Sequence, residues 1–149
     1  MPIGVQNEII EAISEIDDLT VREYLGELSD PSKPQIKDGE LPLVLIDYVG
    51  DEPAGGQNEV RLIFNLYIIH VTQSSAPANR QKSNQSALVL LSLIDKSISL
   101  ETKELALITL GRCKKIFDAA STKGYLSVYM RTVYAQKQRS YHLDRSNLL

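Results

Sequence analysis

Cysteine occurs once in this 149-residue chain, as Cys113. An internal disulfide and a cysteine-based metal cluster are both excluded. Histidine is nearly as scarce. His70 and His142 could not make a zinc site with Cys113 without carboxylates at fitting spacing, and no metal or cofactor is expected. Long apolar runs are missing too. The longest covers residues 87–91, where a membrane-spanning helix needs roughly 20. The opening Met1-Pro2-Ile3-Gly4 has neither the basic stretch nor the apolar block of a secretory signal, so a cytoplasmic chain is expected.

Basic residues are rare in one half only. Residues 1–59 hold 14 acids against 3 bases, net −11, and residues 60–149 hold 5 against 13, net +8. The formal charge of −3 conceals this polarity. If the fold keeps the halves apart, each molecule offers an acidic and a basic surface and copies can meet head to tail. If the halves interleave, the charges only solvate the surface.

With 43% hydrophobic and 23% charged residues, the chain has the composition of one ordinary globular domain. We place that domain at residues 1–136, with 137–149 a polar tail. Val5, Ile9, Ala12, Ile13 and Ile16 recur at spacings of three and four, which predicts an amphipathic helix over 5–16 whose acids favour the positive end of its dipole. Residues 20–24 fit a capping box or a short strand, and strand is the preferred reading. Pro31, Pro34 and Gly39 mark a loop.

A strand over 41–49 should end at Gly50, and residues 51–58 should form the next loop. Residues 60–72 form the longest strand candidate, with Leu62, Phe64, Leu66 and Ile68 on one face and Ile63, Asn65, Tyr67 and Ile69 on the other. Both faces are largely apolar, so one should meet the core and the other a helix or a neighbouring subunit. Residues 73–85 are polar and read as an exposed, poorly ordered loop. A buried helix follows over 86–98, then an irregular or short strand over 105–110. The last elements read as a hairpin of 112–117 and 124–136, joined by 119–124. The fold class is α+β: a mostly antiparallel sheet carrying an N-terminal amphipathic helix and a second, central helix.

Catalytic candidates are few. His70 lies in an apolar strand, where a structural role is the commoner one. Cys113 sits between Arg112 and Lys114, which could lower its pKa, yet no nucleophile motif surrounds it. Gly55-Gly56 lacks the lysine and following helix of a phosphate cradle. Asp47 is the one acid within an apolar strand, either solvent-facing or part of an interface ion pair. Arg112, Lys114, Lys115, Lys137, Arg139 and Arg145, interleaved with Tyr125, Tyr129, Tyr134 and Tyr141, could contact nucleic acid. A sequence pI near 5.4 opposes that, since the acidic half would repel the same backbone. No enzyme activity is expected. Ile63, Ile69, Arg112, Lys114 and Lys115 are the residues expected at a contact between copies of the chain.

After the N-terminal helix come Tyr24-Leu25-Gly26-Glu27-Leu28 and Leu41-Pro42-Leu43-Val44-Leu45-Ile46-Asp47-Tyr48-Val49-Gly50, then a long strand, a polar segment and a leucine-rich helix. Over most of residues 5–135 this order resembles the Mu-like prophage proteins of the minor tail or tail-terminator type. The resemblance implies a small α+β subunit in a homo-oligomeric ring, a hexamer, that caps the tail tube and joins it to the head. Its partners would be the tube and head-completion proteins, with no membrane, and its location the host cytoplasm during assembly and then the virion tail.

Overall fold

A computed structural model describes residues 2–30, 34–56, 58–72, 77–101, 107–121 and 124–138. Helix α1, Pro2–Ser14, begins with proline at a position where a missing amide proton costs nothing. It buries Val5, Ile9, Ala12 and Ile13, the stripe that the spacing predicts. No acid lies in its first turn, so the expected dipole contribution is absent there. Strand β1, Thr20–Glu23, follows, and then a connection with a 3-10 turn at Asp38–Glu40.

Strand β2, Leu43–Pro53, runs past Gly50 instead of ending there. Gly50 adopts φ +152°, and the register shifts between Tyr48 and Gly50. The glycine thus absorbs a bulge and the ladder resumes beyond it. The loop expected over 51–58 contracts to a tight turn, in which the Ala54 amide donates to the Glu59 carbonyl at 3.3 Å. Strand β3, Glu59–Thr72, is the long central strand.

Helix α2, Pro77–Glu101, corrects the expectation of a loop over 73–85. Its physical basis is a proline at the first helical position and no glycine or further proline through residue 101. Polar helix formers then extend the apolar segment backward without a break. Residues 73–76 lie outside the described residues. Strands β4, Leu107–Ser121, and β5, Gly124–Gln138, are longer than the predicted hairpin arms. Gly111 does not end β4, because a register shift between Leu110 and Cys113 takes up the irregularity. A Cβ on Gly111 would stand 2.5 Å from the Tyr134 ring, so the close approach requires glycine. Lys137 and Gln138 belong to β5, and the rest of the expected tail lies outside the described residues.

The five strands form one sheet in the order β1-β2-β3-β5-β4, antiparallel throughout except for the parallel β1–β2 pair. This is the α+β fold expected. Both helices cover one face. There Val44, Ile46, Leu62, Phe64, Leu66, Ile68, Val133 and Ala135 meet Ile9 and Ile13 of α1 and Ile94 and Ile98 of α2. Each of the larger side chains contributes about 1.5–3 kcal/mol on burial, and Ala135 less.

The opposite face is split. Residues 24–30 and 34–41 fold back over one half, setting Leu28 against Leu43, Leu45, Ile69, Leu126 and Val128, and Tyr24 against Tyr67 with ring centroids 4.9 Å apart. Arg22 closes this strap from β1. Its guanidinium pairs with Glu27 and donates to Glu40 at 2.7 Å, and Glu27 also accepts the Leu25 amide at 2.6 Å.

Candidate assembly surface

The sheet order separates strands drawn from the two charged halves of the chain. α1, β1 and β2, from the acidic half, lie at one side of the sheet, and β5 and β4, from the basic half, lie at the other. Glu11, Glu15, Asp17, Asp18 and Glu23 are exposed on the acidic side, where the α1–β1 corner opens a cleft of about 570 Å³. Arg112, Lys114 and Lys115 are exposed on β4, the outermost strand of the basic side. The ammonium of Lys115 lies 5.7 Å from the centre of the Tyr129 ring, a cation–π contact that holds it along the strand.

The two remaining residues expected at a subunit contact have different fates. Ile69 is 0% exposed, sealed beneath the strap, so it is spent within the chain and cannot meet a neighbour. Ile63 is half-buried on the other half of the same face, paired in register with Tyr134. Periodicity could not distinguish them, because both alternate with the same core residues and only the return of residues 24–30 and 34–41 separates covered from uncovered.

A polar row crosses this uncovered half. Asp47 of β2 is opposite Asn65 of β3, Asn65 is opposite Thr132 of β5, and the β4 bulge places Gly111 and Arg112 opposite Thr132. The Thr132 hydroxyl donates to the Asn65 side-chain oxygen at 3.0 Å. Three strand spacings, about 14 Å, separate the carboxylate end of the row from the guanidinium end. Partial burial raises the Asp47 pKa, and Glu23 adds to the effect. Above the row, the Arg61 guanidinium lies 5.6 Å from the Tyr134 ring centre and pairs with Glu52 at 3.0 Å.

The groups weighed for catalysis are not brought together. His70 is in register with Ser127, and Cys113 with Arg131 on the far side of β5, a separation of about 16 Å by strand geometry. Asp47 lies on the opposite face from both. Burial lowers the pKa of His70. Burial also raises that of Cys113, with Arg131 opposing and Asp95 reinforcing the shift, so the basic sequence neighbours do not activate the thiol. Among the described residues no group of three or more His, Cys, Asp or Glu could hold a metal, and no helix is long and apolar enough to cross a membrane.

No family model and no curated protein matches the chain.

Proposed function

We propose that the chain is a structural subunit of a phage tail, a ring-forming tail terminator or neck protein that caps the tail tube and joins it to the head. One observation carries the reading: the sheet order puts acidic β1 and β2 and basic β5 and β4 at opposite sides of one layer. A body charged in this way associates head to tail, and a heterologous contact of that kind closes into a ring when its rotation divides the circle. The resemblance of residues 5–135 to Mu-like tail terminators supports the same assignment and suggests six subunits. The motifs behind it have structural duties in the fold, since Glu27 bonds Arg22, Leu28 fills the second core and Gly50 makes the β2 bulge.

Sedimentation of the purified chain across a salt series tests the proposal. Oligomers should form at low salt and weaken as salt screens the charged sides. Reversing Arg112, Lys114 and Lys115 to Glu should dissociate them, whereas Lys37→Glu, within the acidic half, should not. A chain that stays monomeric at every concentration and salt refutes the reading. Salt-sensitive binding of DNA by that monomer, lost with the same three reversals, would assign the basic strand to nucleic acid instead.

A further inference from the structure

Strand β1 is only four residues long and pairs with β2 no further than Ile46. From Asp47 to Pro53, therefore, β2 is itself an edge of the sheet among the described residues. This second edge lies level with the bulged part of β4, through the row Asp47, Asn65, Thr132 and Arg112. The two edges carry opposite charge. Asp47, Asp51 and Glu52 lie along β2, and Arg112, Lys114 and Lys115 along β4. Each also exposes one large apolar side chain: Val49 is 54% exposed on β2, and Leu107 is 68% exposed on β4.

We infer that the outer edge of β2 over residues 47–53 receives the outer edge of β4 from a second copy of the chain, and that this is the contact closing the ring. The inference rests on the ring-forming reading and names its surfaces. Charge complementarity orients the copies, and Val49 and Leu107 supply an apolar seam that salt does not screen. The Asp47 carboxylate makes no hydrogen bond or ion pair with another described residue and is already partly desolvated, so a neighbour's guanidinium would relieve a cost that the isolated subunit bears. Both edges are irregular, with bulges at Tyr48/Gly50 and Leu110/Cys113, and Pro53 lacks an amide proton. Such edges resist a continuous strand ladder, so the copies join through side chains.

The test uses the full chain, with circular dichroism to confirm folding and sedimentation to read association. Val49→Asp and Leu107→Asp change exposed positions and should each weaken association at least tenfold. Val89→Asp, at a position of α2 that is 61% exposed and belongs to neither edge strand, should leave it unchanged. Asp47→Lys should weaken association, and adding Arg112→Glu should restore it by exchanging the partners' charges; Asp47→Asn serves if the lysine disturbs folding. A parent chain that assembles while the Val49, Leu107 and Asp47 variants assemble equally well overturns the edge assignment and leaves the ring reading standing. Equal losses at Val49, Leu107 and Val89 overturn it too, because any surface charge would then suffice. A parent that never assembles refutes the ring reading itself.

Discussion

Arg131 of β5 grips Asp95 of α2 with both arms of its guanidinium, Nε to Oδ1 at 3.1 Å and Nη2 to Oδ2 at 2.6 Å, while Nη1 donates to the Gly111 carbonyl at 2.9 Å. One side chain thus ties the helix to β5 and to the bulge of β4. Both partners are mostly buried, and the fork–fork geometry gives direction as well as attraction.

Removing Arg131 strands the Asp95 carboxylate and the Gly111 carbonyl. Arg131→Ala should cost roughly 2–4 kcal/mol, toward the lower side of what breaking a buried pair costs, because water still reaches this one. Asp95→Ala should cost a similar amount, and the double variant should cost clearly less than the sum. Urea unfolding of all four proteins measures the coupling, and strict additivity would mean that the pair does not work as a unit.

Ile69 and Ile63 share a strand face and differ in cover, so aspartate should separate them. Ile69→Asp places an unpaired charge in a sealed core and should unfold the chain, a loss beyond about 4 kcal/mol. Leu66→Asp should do the same on the helix side. Ile63→Asp should remain folded. Circular dichroism and thermal melting distinguish these outcomes, and a cooperative melt near the parent's for Ile69→Asp would contradict the covered face.

The Asp47 carboxyl is held above its ordinary pKa by burial, with Glu23 contributing. The unfolded chain then releases this proton at lower pH than the folded one. Stability falls as pH rises from the ordinary aspartate value to the raised one, and remains lower above it. Asp47→Asn should therefore melt higher than the parent at neutral pH, with the gap closing on acidification. A gap independent of pH would show that the charge is not its cause.

The strap over the second core has the opposite pH response. Hydrogen bonding from Arg22 holds the Glu40 carboxyl below its usual pKa, and the same bond raises that of Arg22. A lowered acid contributes stability that is present above its unfolded pKa and lost as pH falls through its folded one. Hydrogen exchange across residues 34–41 should accelerate in Glu40→Gln at neutral pH, and in the parent only under acid. Arg22→Ala, which frees both Glu27 and Glu40, should expose the strap more than Glu40→Gln does.

The amphipathic face of α1 was legible because Val5, Ile9 and Ile13 repeat with the helix period, and β3 because its two alternating sets are both apolar. Local steric and solvation rules act on neighbours in sequence, so periodicity reports them directly. The start of α2 differs from the expected loop because polarity alone does not distinguish a helix turn from a loop; the informative feature is a proline followed by no breaker. Gly50 reads as a strand end for a related reason. A glycine signals a departure from regular geometry, and only the partner strand decides whether that departure is a turn or a bulge.

The charge asymmetry is a property of the sequence alone, because counting Asp, Glu, Lys and Arg needs no coordinates. Whether it amounts to a dipole across the molecule was decided by the order β1-β2-β3-β5-β4, which keeps the acidic strands on one side and the basic hairpin on the other. The fates of Ile63 and Ile69 were decided the same way. Two residues of equal hydrophobicity on one strand face differ in whether residues 24–30 and 34–41 return over them, a return closed by Leu28 packing on the second core and by Arg22 reaching Glu40, 18 residues away in sequence.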